Sequence, residues 1–374
     1  MATGWPMKTT YADGDVYAAQ DVNDITETIN LLGSSVAYAA GKNKIINGDF
    51  SINQRAFTST TSTGFGMDRW LINVAGDGTT TWSIQTFTPG TAPVAGYEST
   101  NYSRIVTTGQ TSAAVLSRTD QKIENVRTFA GQTVTVSFWA KAATGTPNIT
   151  PEFQQVFGTG GSPSATVNAI LAATPKQAIT TSWARYSFTI AIPSISGKTI
   201  GTNNDSNLTL GFYVSAGSNF NARTGTLGIQ SNTFEIWGIQ VEEGSTATAF
   251  QTATGTIQGE LAACQRYYYQ LGYLDIAAAY AASTTGTTCI VKFPVQMRTA
   301  PTAITVSTVG DWRVYNQAGG FGNPTAITFN NGFRTGTLIS ATTTAGTPTL
   351  TAGSGGFLYG VNPTAVIGFT GAEL

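Results

Sequence analysis

Short runs in which apolar and polar residues alternate one by one recur along most of this chain. That feature constrains its fold more than any other. In residues 132–142 one face carries Val134, Val136 and Phe138, and the other carries Thr135, Ser137, Trp139 and Lys141. In 207–215 Leu208, Leu210, Phe212 and Val214 share a face, opposite Thr209 and Tyr213. In 182–190 Ala184, Tyr186, Phe188 and Ile190 oppose Arg185 and Ser187. A period of two belongs to strands, and its apolar face must be buried against a partner sheet. Further runs at 68–74, 80–86, 102–107, 113–118, 148–157 and 233–242 are separated by Gly, Ser, Asn and Pro clusters. About ten strands at this spacing predict an all-β, two-sheet sandwich of jelly-roll type. One interruption, 120–126, reads as a helical turn.

The two ends differ from the middle. Asp21 and Asp24 open an N-terminal helix, where carboxylates suit the positive end of the dipole. Val22, Ile25, Ile29, Leu32 and Val36 then follow at heptad spacing. Isoleucine at both core position types favours a three-stranded seam, hence a homotrimer; an amphipathic helix packed on its own domain is the competing reading. Ile257, Leu261, Cys264 and Tyr268 are spaced as a second helix, which carries the run Tyr267-Tyr268-Tyr269 and leads into further short strands. The expected domains are therefore 1–43, an attachment segment and helix; 44–253, the jelly-roll; and 254–374, a helix plus a smaller β-rich domain.

Composition excludes much. Charged residues make up 10% of the chain, well below the usual quarter. Lys+Arg 19 against Asp+Glu 20 gives no basic footprint for nucleic acid. No window is long and apolar enough for membrane insertion, and the first ten residues lack the pattern of a signal peptide. There is no histidine, which removes Ser-His-Asp and Cys-His catalysis and any zinc site that uses His. The two cysteines, Cys264 and Cys289, cannot build a disulfide framework and are expected to be reduced and packed.

Several segments, in order, resemble a family of phage tail-fibre and minor tail proteins. They are Thr10-Tyr11-Ala12-Asp13-Gly14-Asp15-Val16, Lys44-Ile45-Ile46-Asn47-Gly48-Asp49-Phe50, Met67-Asp68-Arg69-Trp70, the strand 131–141, the Gly-rich 154–163, and 234–244. Cys264-Gln265-Arg266-Tyr267-Tyr268 and Phe293-Pro294-Val295-Gln296-Met297-Arg298 are similar to that family's C-terminal module. The opening Asn-Gly-Asp-Phe also resembles carbohydrate-binding modules. The resemblance implies a phage virion protein of the tail, assembled in the host cytoplasm. It would attach to other tail proteins through its N-terminus, form a homotrimer and recognise a host-surface glycan. A capsid decoration or head-fibre protein, and a polysaccharide depolymerase, are the alternatives.

A sugar site needs a flat aromatic and planar donors. Trp139, Tyr213, Gln154 and Arg185 are the candidates, provided their strands share one open face. The bland reading of that face is burial beneath a loop or a neighbouring protomer. The resemblance implies a structural Ca²⁺ at Asp49 and Glu235; an ordinary polar edge is the competing reading, and no other cofactor is expected. Gly158-Thr159-Gly160-Gly161-Ser162 lacks the Lys and helix of a phosphate loop. Adjacent Glu242 and Glu243 point to opposite faces of a strand, so they make no catalytic pair. The chain is therefore expected not to be an enzyme.

Overall fold

The computed structural model describes residues 41–317 and 319–374. The expected N-terminal helix and its seam, Val22, Ile25, Ile29, Leu32 and Val36, lie outside the described residues.

The strands up to residue 243 are β1 (Ser59–Thr60), β2 (Gly64–Phe65), β3 (Leu71–Ala75), β4 (Thr79–Thr86), β5 (Asn101–Thr108), β6 (Leu116–Glu124), β7 (Thr133–Ala142), β8 (Asn148–Val156), β9 (Val167–Ile170), β10 (Gln177–Ala178), β11 (Ala184–Ala191), β12 (Asn207–Ala216) and β13 (Asn232–Glu243). They form two antiparallel sheets. One has the order β1-β4-β5-β13-β7-β11; the other runs β10-β8-β12-β6-β3-β2, with β9 also paired to β8. This is the expected jelly-roll-like sandwich.

The alternation in sequence sets which face is core. Val134, Val136 and Phe138 of β7 meet Leu208, Leu210 and Phe212 of β12, all with no exposed surface. Phe138 and Phe212 contact edge to face at 4.9 Å. Each such side chain contributes about 1.5–3 kcal/mol by leaving water. The helical turn read at 120–126 is corrected: β6 continues to Glu124. Its charged residues have partners on the outer face, with Lys122 Nζ donating to the backbone oxygen of Leu374 at 2.6 Å. Gln121 instead satisfies the amide and carbonyl of Ile46, both at 2.8 Å.

The Asn47-Gly48-Asp49-Phe50 segment is structural. Asn47 adopts a positive φ of 57°. Its side-chain amide donates to Ile52 and Asp68 carbonyls and accepts from the Ile52 amide. Gly48 passes so close to β13 that a Cβ would lie 2.2 Å from the Ile239 carbonyl oxygen. Gly48→Ala is therefore expected to lower stability by about 1–3 kcal/mol, as overpacking does, measured by urea denaturation.

The helix Ile257–Gln265 follows, capped by Thr256, whose hydroxyl accepts from the Gly259 amide at 3.1 Å. It is shorter than the sequence spacing suggested. It ends before the tyrosine run, because Tyr269 already begins a strand. Tyr267 and Tyr268 are buried against the sandwich, with Arg69 3.4 Å over one ring and Arg55 3.7 Å over the other. The remaining strands are β14 (Tyr269–Leu271), β15 (Ile276–Ala281), β16 (Gly286–Lys292), β17 (Ala303–Val306), β18 (Trp312–Asn316), β19 (Phe321–Gly322), β20 (Pro324–Phe333), β21 (Gly336–Thr343), β22 (Gly355–Gly360) and β23 (Ile367–Thr370). They make a three-stranded sheet, β14-β23-β17, and a seven-stranded sheet, β19-β18-β22-β15-β16-β21-β20. A second hydrophobic core, with Trp312, Val314, Ile339, Leu358 and Phe369, lies within them. Cys264 and Cys289 are free and buried.

Candidate functional site

The four residues expected to form a sugar face fall into two pairs on opposite sides of the sandwich. Trp139 and Arg185 lie on neighbouring positions of β7 and β11, on the outer face of the first sheet. Arg185 stacks 4.7 Å over the Trp139 ring, and its guanidinium donates to the Thr248 carbonyl. Phe250 and Trp237 pack against the same indole at 6.0 and 5.3 Å. The chain leaving β13 thus covers this face, and Trp139 keeps 9% exposure. The stacked guanidinium and the small surface left to the indole give no room for a sugar ring there.

Tyr213 and Gln154 lie on the outer face of the second sheet. Arg118 Nη1 donates to the Tyr213 hydroxyl at 2.8 Å, and Arg118 Nη2 to Gln154 Oε1 at 3.1 Å. Glu152 accepts from the Tyr213 hydroxyl at 2.9 Å and pairs with Arg118 at 3.2 Å and Arg223 at 2.7 Å. Burial lifts the Tyr213 phenol well above its ordinary range. Tyr213 and Glu152 have no exposed surface. The donors and acceptors here satisfy one another, which leaves few for a ligand.

Asp49 and Glu235 do not meet. Asp49 accepts from the Ser51 hydroxyl and the Tyr97 hydroxyl, each at 2.9 Å. Glu235 is held by Arg104 and by Lys141, the latter at 2.9 Å. Two cations beside Glu235 oppose a third, so this geometry does not suit Ca²⁺. Among the described residues no three Cys, Asp or Glu side chains converge as a metal site would need.

Asp49 does share a cavity of about 370 Å³ with Glu260 and Tyr97. Burial raises the Glu260 pKa, against opposing hydrogen bonds from the Asn47 and Thr254 amides and the Thr254 hydroxyl. Those bonds occupy both carboxylate oxygens, at 2.7 to 2.9 Å. A general acid must offer a proton to its substrate. Glu260 instead anchors the start of its helix to the Asn47 loop.

The open face belongs to the C-terminal seven-stranded sheet, and sequence reasoning did not find it. Its outer residues form a row across the strands: Phe321, Tyr315, Phe357, Ala278, Ile290 and Leu338, each the register partner of the next. A second row begins with Arg313, Tyr359 and Ile276. Tyr315 and Phe357 stack at 4.7 Å with their planes only 17° apart, and Tyr359 adjoins Phe357 at 5.5 Å. Arg313 sits 4.8 Å over the Phe321 ring. Phe321 is 55% exposed, Ile276 65%, Tyr280 47% and Ile290 45%. Beside the aromatic row lies a hollow of about 400 Å³ lined by Tyr269, Leu271, Ile276, Ala278, Ile290 and Val291, with Asp275 and Lys292 also in its lining. The signal was present in the sequence. Trp312-Arg313-Val314-Tyr315 and Phe357-Leu358-Tyr359 carry large side chains on both faces of a strand, although one face suffices for a core.

No protein-family model and no curated protein matches this chain. Solved structures give distant likenesses. The enzymatically active domain of bacteriophage CBA120 tailspike protein 4 aligns at TM-score 0.32 and 10% identity over 54% of this chain and 21% of that one. A family 11 carbohydrate-binding module from Clostridium thermocellum aligns at TM-score 0.28 and 11% identity, over 52% of this chain and 99% of the module. A putative sugar binding protein from Bacteroides thetaiotaomicron aligns at TM-score 0.32 and 15% identity, over 54% of this chain and 100% of that one. The chain spans about a fifth of the length of the tailspike chain.

Proposed function

We propose that this chain is a non-catalytic adhesion protein of a phage tail, which holds a host-surface polysaccharide on the outer face of its C-terminal sheet. The observation that carries this reading is the outer-face row Phe321, Tyr315 and Phe357, the first exposed and the other two half-buried, with Tyr359 and Arg313 in the next row. Flat aromatic faces suit the C–H side of a pyranose, and a guanidinium, a carboxylate and an ammonium at the edge supply directional bonds to hydroxyls. A subunit contact is the competing use of an exposed apolar face. Contact cores are depleted in Lys and Asp, whereas Asp275 and Lys292 border this hollow.

The tail assignment rests on the order of segments that resemble tail-fibre proteins. In the proposed assembly the heptad seam before residue 40 aligns three protomers and faces other tail proteins. Three sheets on one fibre would then turn weak sugar contacts into firm attachment. The use of the acids supports the non-catalytic part. Glu152, Glu235 and Glu260 are each saturated by cations or hydrogen bonds.

The test is binding of the purified protein to intact host cells and to cells stripped of surface polysaccharide, with released sugar assayed alongside. Binding that disappears on stripping, without sugar release, is the expected result. Equal binding to both cell types would refute the glycan reading, and released sugar would refute the non-catalytic one.

A further inference from the structure

Where the sandwich meets the C-terminal unit lies a second cavity, of about 430 Å³, into which Arg127, Arg266, Arg298 and Arg334 converge against a single carboxylate, Glu124. These arginines come from four separate segments: the loop after β6, the end of the helix, the loop after β16 and the β20–β21 turn. The whole chain carries only 19 Lys and Arg and a net charge of −1. Gathering four of them at one acid is therefore a local departure from an otherwise neutral surface.

Among the described residues, three of the four arginines have no carboxylate partner. Arg298 is buried, and its guanidinium is held by three backbone carbonyls: Ala372 at 2.9 Å, Asn204 at 3.0 Å and Glu373 at 2.9 Å. Carbonyls fix its position without cancelling its charge. Arg266 takes the one acid, with its Nη2 2.6 Å from Glu124. Arg334 uses only Nε, donating to the Met297 carbonyl at 3.0 Å. The Arg127 side chain makes no hydrogen bond or ion pair among the described residues. A cleft lined by one sign of charge focuses its field and attracts the opposite charge. A guanidinium fork matches a carboxylate with two parallel hydrogen bonds.

We propose that this cavity takes the carboxylate of an acidic saccharide, with Arg127 and Arg334 as the residues that grip it and Arg298 as the fixed positive charge behind them. The rest of the lining, Asn125, Asn204 and Ser206, offers amides and a hydroxyl for sugar hydroxyls. No aromatic lines the cavity, which separates it from sites that hold single-stranded nucleic acid by stacking bases. The volume lies within the range of small-molecule sites. The choice of a saccharide rests on the glycan reading; the choice of an acidic one rests on the arginines.

The experiment is equilibrium binding of the full chain to three probes at about 0.15 M salt, near physiological screening: tri-galacturonate, neutral galactotriose and inorganic phosphate. The double variant Arg127→Gln/Arg334→Gln is measured alongside, and so is the sheet-face variant Tyr315→Ala/Phe357→Ala. Both arginines are exposed, so melting temperature and circular dichroism should match the parent. Tri-galacturonate is expected to bind at least about tenfold tighter than galactotriose or phosphate. That advantage should disappear in the arginine variant and survive in the sheet-face variant. Equal binding of acidic and neutral sugars, phosphate binding as tight as the trisaccharide, or an arginine variant that binds like the parent would each overturn the inference. Loss of polysaccharide binding confined to the sheet-face variant, with no tri-galacturonate binding by the parent, would overturn it while leaving the aromatic-face reading intact.

Discussion

Glu152→Ala is expected to lower the unfolding free energy by about 3–5 kcal/mol, the cost of breaking a buried ion pair by removing one partner. Glu152 has no exposed surface and receives five polar contacts: Arg118, Arg223 through two nitrogens, the Tyr213 hydroxyl and the Ala169 amide at 2.8 Å. Alanine would leave Arg118 with Asp120, Gln154 and the Tyr213 hydroxyl, and would take from Arg223 the carboxylate that holds it. It would also take the acceptor from the buried Tyr213 hydroxyl and from the Ala169 amide. Tyr213→Phe removes one hydroxyl from the same cluster and should cost less, about 1–2 kcal/mol. Urea denaturation of both variants checks the order. If Glu152→Ala were as mild as Tyr213→Phe, the buried ion pairs of Glu152 would not hold this face together.

The second large effect is expected at Trp237. Trp237→Ala should cost about 3–5 kcal/mol, as truncation of a buried large aromatic does. Its indole is fully buried among Phe250 at 5.0 Å, Trp139 at 5.3 Å, Tyr97 at 5.7 Å and Phe87 at 6.2 Å, and its Nε1 donates to the Ser99 hydroxyl at 2.8 Å. The adjacent Gly238, at φ +64°, makes the bulge that sets the indole outward while returning Val241 to the core. Because Phe250 leads toward the helix, loss of Trp237 should loosen the cover of the first sheet as well. Trp139→Ala should destabilise too, yet leave polysaccharide binding unchanged, since Arg185 stacks over that ring and little of it is exposed. Denaturation paired with a binding assay distinguishes the two roles.

The strands and their inward faces were legible because burial writes itself at period two. Val134, Val136 and Phe138, and Leu208, Leu210 and Phe212, point where alternation says they must. What covers the outward faces was not legible. Trp139 reads as an exposed stacking residue until residues 245–250 are seen folding over it. Tyr213 reads the same way until Arg118, Glu152 and Arg223 arrive from three other segments. Such covers are made by residues far apart in sequence, and no local pattern encodes them. The helical turn read at 120–126 failed for a related reason: the polar residues that broke the alternation find partners in distant segments, Gln121 at Ile46, Lys122 at Leu374 and Glu124 at Arg266. The aromatic face of the last domain was half visible. Phe357 and Tyr359 flank Leu358, and Tyr315 flanks Val314, so both faces of those strands are apolar. The four arginines of the junction cavity, Arg127 to Arg334, span more than half of the chain and carry no local signature.

The proposed function depends on the outer face of the C-terminal sheet. The most direct measurement is the affinity of Tyr315→Ala/Phe357→Ala for purified host-surface polysaccharide, beside the parent, with the oligomeric state of both recorded. The predicted result is a loss of about tenfold or more, equivalent to roughly 1.4 kcal/mol or more, with the same oligomeric state. Unchanged affinity would contradict the account, and a fall in oligomeric state in its place would reassign this face to the contact between protomers.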